Sequence, residues 1–114
     1  MKLGDLATLL SLDVQQAQGD PQVEVSGAYS SDVLSDVLAY GRAKNIWITC
    51  QTHPNIVAVA KLKDLAGIIL VNNRRAEENT LRDAREEKII IYGTPDPAFT
   101  VAGKLYKAMN KNSL

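Results

Sequence analysis

The chain has 114 residues, of which 46% are hydrophobic and 23% are charged, and its 13 basic residues balance its 13 acidic ones. This length is typical of a single domain, here 1–114, and a net charge of zero argues against nucleic-acid binding, which needs Lys and Arg concentrated on one face. The only cysteine excludes an internal disulfide, and no apolar run approaches the ~20 residues that cross a bilayer. We therefore expect a cytoplasmic protein with no nucleic-acid or membrane partner.

The N-terminal third is predicted to contain a short amphipathic helix followed by a hairpin. Leucines recur at helical spacing at positions 3, 6, 9 and 10. Segments 12–14 and 23–25 then alternate apolar and polar residues, and the turn residues Gly19, Asp20 and Pro21 stand between them. This pattern predicts an N-terminal hairpin at one edge of a sheet.

The rest of the chain alternates predicted strands with predicted helices. Short β-branched apolar runs, typical of strands buried on both faces, are found at 46–50, 66–71 and 89–92. Helical periodicity is found at 31–42, 54–63 and 76–87, and a last helix is expected to start with Asp96 as its cap and Pro97 in the first position. The alternation predicts an α/β fold, a mainly parallel sheet with flanking helices in three layers (α/β/α).

Ligands of parallel α/β proteins bind beyond the carboxyl ends of the strands, so the loops at those ends hold the candidate site. Four such loops are polar. The candidate ligand-binding residues are Tyr29, Ser30, Ser31, Asp32, Gln51, Thr52, His53, Asn55, Asn72, Asn73, Arg74 and Thr94. Helix caps need the same residue types, and the sequence leaves four separate caps and one shared polar cleft as alternatives.

Single residues in these loops allow the same two interpretations. Either Ser30 or Ser31 suits the N-cap of the next helix, and Asp32 complements the positive end of its dipole. Asn72, Asn73 and Arg74 suit a phosphate cradle, yet asparagine also tolerates the left-handed backbone of a tight turn.

The residue pattern gives no support for an enzyme. His53, the only histidine, has neither a nucleophile nor metal-ligand spacing around it, so a ligand contact is the main functional role considered for it. An enzyme that uses His53 with Asp32 or Ser31 is kept as a third alternative. Cys50 ends an apolar run and is expected to be a buried, inert thiol. Glycine-rich phosphate loops, the G-x-S-x-G turn and H-E-x-x-H are all missing from the sequence. We expect no catalytic residue, no metal and no cofactor.

Read as a whole, the sequence resembles the DRTGG domain family. The resemblance covers about residues 1–107 and lies in segments 27–36, 47–60 and 66–73, in the pair 94–95 and in 99–103. The sequence departs from the family pattern in two loops, because 51–53 read Gln-Thr-His where many relatives have Gly-Asp-Arg, and 72–73 read Asn-Asn where they have Thr-Gly-Gly or similar. The resemblance is closest to stand-alone bacterial members, with a fold similar to the N-terminal domain of HPr kinase/phosphatase.

The resemblance implies an accessory role, since relatives stand beside CBS domains in regulated pyrophosphatases and ahead of the catalytic domain in some phosphotransacetylases. Our first hypothesis is a non-catalytic regulatory or sensor module that binds a small polar ligand as a homodimer, with a nucleotide favoured by the resemblance alone. The alternative is a protein–protein interaction module. It rests on helix 54–63, which is apolar on nearly all sides and is expected to present Val57 and Val59 to a partner.

Overall fold

The computed structural model describes residues 1–110 and contains a five-stranded sheet in the order β1-β5-β4-β3-β2. The strands are β1 (Asp13–Gln16), β2 (Gly27–Ser30), β3 (Asn45–Thr49), β4 (Gly67–Leu70) and β5 (Ile91–Gly93). The helices are α1 (Leu3–Leu9), α2 (Leu34–Tyr40), α3 (Asn55–Leu62), α4 (Glu78–Glu87) and α5 (Ala98–Met109). The four strands from β2 to β5 are parallel, and β1 pairs antiparallel with β5. The predicted mainly parallel α/β fold is confirmed.

Helices cover both faces of the sheet, and each face has its own apolar cluster. On one face α2, α3 and α4 bury the Trp47, Ile68 and Ile91 side chains of the sheet. On the other face α1 and α5 pack against the neighbouring strand residues, such as Ile48 and Ile69. Successive residues of a strand point to opposite faces, so strands covered on both sides must be apolar throughout. This requirement explains why the three central strands were readable as unbroken apolar runs.

The parallel strands lie side by side in the order in which the chain makes them. Pairs such as Trp47–Ile68 and Ile68–Ile91 fix their register, and α2, α3 and α4 cross over one face in turn. Each crossover therefore moves the chain one place along the sheet. The carboxyl ends of β2, β3, β4 and β5 consequently form one row along a single end of the sheet.

The predicted N-terminal hairpin is wrong. β1 lies at one edge beside β5, whereas β2 lies at the opposite edge beside β3. Segment 23–25 makes only an isolated bridge, Lys2 to Glu24. The ten residues between β1 and β2 reach about 33 Å when extended, and four inter-strand spacings need only about 19 Å, so the connection is long enough to cross the whole sheet.

Two predicted helix starts also differ from the structure. α2 begins at Leu34 with Val33 as its N-cap residue, and α5 begins at Ala98 with Pro97 as its N-cap residue. Neither helix receives a side-chain cap. At α5 the Asp96 carboxylate instead accepts a 3.0 Å hydrogen bond from the Lys104 ammonium.

The expected exposure of helix 54–63 is also corrected. α3 packs between α2 and α4, and Val57 and Val59 are only 3% and 6% exposed. Neighbouring helices of the same chain cover the flanks that the sheet does not reach. Of its large apolar side chains, Leu62 remains exposed. The surface on which the protein–protein hypothesis rested is therefore mostly interior.

Candidate ligand site at the loop rim

The loops that follow the four parallel strands form one continuous border, which we call the rim. It consists of residues 31–33, 50–54, 71–77 and 94–97. Nine predicted site residues lie in the rim: Ser31, Asp32, Gln51, Thr52, His53, Asn72, Asn73, Arg74 and Thr94. Tyr29 and Ser30 lie in β2 and not in a loop, and Asn55 is the first residue of α3. The structure thus brings the four predicted loops to one end of the sheet.

Asp32 ties the loop after β2 to the end of β3. Its Oδ1 accepts hydrogen bonds from the Thr49 hydroxyl (2.9 Å) and the Cys50 amide (2.8 Å). Its backbone carbonyl accepts a third bond from the Gln51 side chain (3.0 Å). These bonds hold the Asp32 carboxylate in one place. Asp32 lies two residues before the start of α2, and not in its first turn as the sequence suggested.

The electrostatics of Asp32 match this fixed position. Burial raises the pKa of its carboxyl group, but the bonds from Cys50 and Thr49 and the positive charge of Arg74 outweigh burial and lower the pKa below its usual value. The carboxylate is thus ionised at neutral pH. The bonds from the Thr49 hydroxyl and the Cys50 amide both fall on Oδ1.

Cys50 lies beside this carboxylate and is not activated by it. Burial, followed by the hydrogen bond to Asp32, raises the pKa of the Cys50 thiol above its usual value. The thiol is therefore protonated at neutral pH, which agrees with the predicted inertness, although the side chain is only partly buried.

The loops after β3 and β4 meet at Thr52. Its carbonyl accepts hydrogen bonds from the buried Thr80 hydroxyl (2.7 Å) and from the Glu77 amide (3.2 Å). Its hydroxyl lies 3.4 Å from the Glu77 carboxylate. These contacts attach the start of α4 to the loop after β3, so Thr52 has a structural role at this point of the rim.

Asn72 and Asn73 form a tight turn in which their backbone amides are already hydrogen-bonded. Both have left-handed φ angles, 58° and 59°. Their amides donate to the carbonyls of Asp96 (3.0 Å) and Thr94 (2.9 Å). Of the two interpretations of this segment, the tight turn is confirmed, and the backbone phosphate cradle is wrong because its donors are already bonded. The Arg74 side chain remains exposed beside the turn.

The remaining predicted residues have local partners. At the start of α3, Nδ1 of the exposed His53 ring accepts a hydrogen bond from the Asn55 backbone amide (3.3 Å). The Ser31 hydroxyl accepts a hydrogen bond from the Val33 backbone amide (3.2 Å). Tyr29 donates its hydroxyl to Asp36 (2.8 Å), and this bond raises the pKa of the tyrosine.

Sequence reasoning missed Gln15, which joins the edge strand β1 to the rim. Its amide nitrogen donates to the Arg74 carbonyl and its oxygen accepts the Ala76 amide, both at 2.9 Å. A small cavity of about 130 Å³ lies at this junction, lined by Asp13, Gln15, Asn73, Arg74, Arg75, Gly93 and Thr94. No local sequence signal marks Gln15, because its partners lie about sixty residues away.

Hydrogen bonds thus connect each rim loop to the next, and the rim carries two opposite charges that interact electrostatically, the Asp32 carboxylate and the Arg74 guanidinium. A ligand with both donor groups and an anionic group complements this pair. Among residues 1–110 no three acidic, histidine or cysteine side chains are grouped to hold a metal ion. In the same range no helix is long and apolar enough to span a lipid bilayer.

Comparison with solved structures finds a similar fold. The chain matches a crystal structure of the CBS and DRTGG domains of the regulatory region of Clostridium perfringens pyrophosphatase, complexed with the activator diadenosine tetraphosphate, with a TM-score of 0.66 and 16% sequence identity. The match covers 91% of this chain and 47% of that one, so the chain spans about half of its length. At this identity the likeness shows the fold. No family model matches the chain, and no curated protein is significantly similar to it.

Proposed function

We propose that this protein is a non-catalytic regulatory module that binds a small polar ligand, a nucleotide by preference, at the loops of the rim and works as a homodimer. The observation that carries the proposal is the fixed Asp32 carboxylate, which shares the rim with the exposed Arg74 guanidinium. A nucleotide offers hydroxyl and amino donors for the first group and phosphate oxygens for the second.

The internal bonding of the rim supports binding over catalysis. Preorganised groups bind a ligand without the entropic cost of ordering loops, and here each loop is bonded to its neighbour. Catalysis would need an activated nucleophile or a general base whose pKa lies near the working pH. The one thiol at the rim is instead held protonated.

The structural comparison favours the nucleotide class. The similar fold belongs to a regulatory region that was crystallised with the dinucleotide activator diadenosine tetraphosphate. The same comparison supports a regulatory role and the absence of catalysis. A single domain of this kind would act through a partner protein or through a change in its own assembly.

Thermal unfolding with added nucleotides tests the proposal. The panel contains adenosine and guanosine, their mono-, di- and triphosphates, and diadenosine tetraphosphate. A ligand at about a hundred times its Kd adds about 2.7 kcal/mol to the free energy of unfolding, which raises the Tm of a domain of this size by about 10 °C. Titration calorimetry of each responding ligand then gives its Kd.

Two substitutions locate the site. Asp32→Asn and Arg74→Gln are each expected to weaken binding at least about tenfold, the scale of one charge-assisted hydrogen bond. Arg74→Gln should leave the affinity for unphosphorylated nucleosides unchanged, since it removes only the phosphate partner. Arg85→Gln, in the last turn of α4 at the other end of the sheet, is the matched control and should bind like the natural sequence. Absence of any response across the panel would refute nucleotide binding.

A further inference from the structure

The residues along the β2 edge of the sheet are uncharged and suit a contact between two copies of this chain. Within residues 1–110, β2 pairs with β3 on one side only, so alternate backbone amides and carbonyls of Gly27–Ser30 point outward. We propose that this edge pairs antiparallel with the same edge of a second copy about a two-fold axis, which joins the two sheets into one. The inference deepens the homodimer part of the proposed function and rests on it.

β2 is short, with four residues, but it lacks the other sequence devices that keep edge strands apart. Native edges are also protected by charged side chains, proline or bulges. The opposite edge has two of these devices, because β1 starts at Asp13 and its register shifts between Val14 and Gln16. The residues of β2 are Gly-Ala-Tyr-Ser, and the flanking Ser26 and Ser31 are also uncharged.

Absence of charge points to a second copy as the partner. A two-fold axis places the residues next to it against their own equivalents, so a charge at those positions would repel itself, whereas residues further along the strand meet different residues of the second copy. A strand that pairs with a different protein has no such restriction and is commonly charged to match it. An edge that is neutral along its whole length fits self-pairing best.

A short strand supplies few hydrogen bonds, and helix α5 supplies the apolar surface beside them. A groove of about 390 Å³ runs between β2 and α5, lined by Ala28 and Ser30 on the strand and by Ala102, Tyr106 and Met109 on the helix. Phe99 lies two helical turns from Tyr106 on the same side of α5, and these rings are 90% and 54% exposed. Exposed aromatic side chains that lie together on one side of a helix are typical of the centres of protein–protein interfaces.

The geometry of the two-fold axis is restricted. An axis perpendicular to the sheet keeps both α5 helices on the same face, so their aromatic residues pack against each other. Opposed residues of antiparallel strands point to the same face. The axis must therefore pass beside a residue and not between two residues, and we place it at one of the two middle residues of β2. With the axis at Ala28 the two Ala28 side chains are directly opposed. With the axis at Tyr29 they are diagonal neighbours.

Light scattering of the full chain and its variants tests this arrangement. The natural sequence should be a dimer, and Ala28→Lys should be monomeric because it places two positive charges together at an exposed position. Ala28→Glu should also be monomeric, whereas an equal mixture of Ala28→Lys and Ala28→Glu should form a dimer again. Val14→Lys, an exposed position on the opposite edge strand, is the matched control and should remain dimeric. Far-ultraviolet circular dichroism confirms that each variant is folded.

Each outcome decides a different claim. A natural sequence that is monomeric at all concentrations refutes both this contact and the homodimer, and leaves ligand binding to its own titration. A dimer that survives both Ala28 substitutions, and also Tyr106→Glu on the α5 surface, refutes the β2 contact alone. Failure of the mixed variants to associate would show that the substitutions act through something other than charge at the shared edge.

Discussion

The two edges of the sheet are attached to the rest of the protein by different kinds of hydrogen bond. At the β1 edge, glutamine side chains reach into the body of the protein: Gln16 is buried and donates to the carbonyl of Ile89 (2.7 Å), and Gln15 bonds to the loop after β4. At the β2 edge, the chain leaves the strand through the Asp32 carboxylate, which accepts two bonds from the end of β3. One edge is held by neutral amides and the other by a charge.

This difference indicates which part of the protein responds to a change in pH. Neutral amide groups do not titrate, whereas a carboxylate loses its charge and becomes a weaker acceptor when it is protonated. The attachment of the β1 edge is therefore not expected to respond to pH. The β2 edge, which also carries the proposed dimer contact and borders the rim, is the part that charge can alter.

Breaking the β1 attachment should have the largest effect. Gln16→Leu keeps the approximate size of the side chain but removes its bonds to Gln18 and Ile89 and leaves a buried carbonyl unpaired. We expect a loss of about 2 kcal/mol in the free energy of unfolding, measured by urea denaturation. Gln18→Leu changes an exposed side chain two residues away and should cost less than about 0.5 kcal/mol. Equal losses in the two variants would contradict the attachment.

The contact between Gly93 and Gln15 gives a smaller and more specific effect. A Cβ atom at Gly93 would overlap the Gln15 amide, so Gly93→Ala must displace that side chain from its two bonds. We expect a cost of about 1 kcal/mol. In a Gln15→Ala background the obstacle is gone, and Gly93→Ala should become neutral or slightly stabilising because alanine restricts the unfolded chain.

Gly103→Ala provides the control for this cycle. Gly103 lies inside α5 and nothing lies within 4 Å of the position that its Cβ would occupy. The substitution should therefore stabilise the protein by about 0.5–1 kcal/mol in both backgrounds. If Gly93→Ala behaves in the same way as Gly103→Ala, the Gln15 contact does not position β1.

The charge at the β2 edge should give the smallest effect, visible only in its pH dependence. The folded pKa of Asp32 is lowered, so the carboxylate contributes stability above its unfolded pKa of about 3.9 and loses it as the pH falls through the folded value. Solvent exposure keeps this contribution modest. Between about pH 5 and pH 3 the natural sequence should lose more stability than Asp32→Asn does.

The measurement is a series of urea denaturations across that range. Asp13→Asn, which removes an exposed carboxylate at the start of β1, is the control for the loss of one negative charge. Parallel profiles for the natural sequence and Asp32→Asn would show that Asp32 does not stabilise the β2 edge through its charge.

Much of the candidate site was predictable because the parallel order of the strands was predictable. Crossovers between neighbouring parallel strands always return the chain to the same end of the sheet, so the loops containing Asp32, Thr52, Asn72 and Thr94 had to share that end. Their hydrogen bonds were not predictable. An aspartate before a helix suits a cap, and only the position of β3 shows that Asp32 bonds to Thr49 and Cys50 instead.

The sequence by itself determined the interior of this protein. Strands covered on both faces must be continuously apolar, and the connecting helices must bury one side, so the central strands and the helices are written in local patterns. Only the tertiary structure decided the edges. A polar, alternating segment such as 13–16 can pair with any neighbour, and the connection from β1 to β2 is long enough to reach either edge of the sheet.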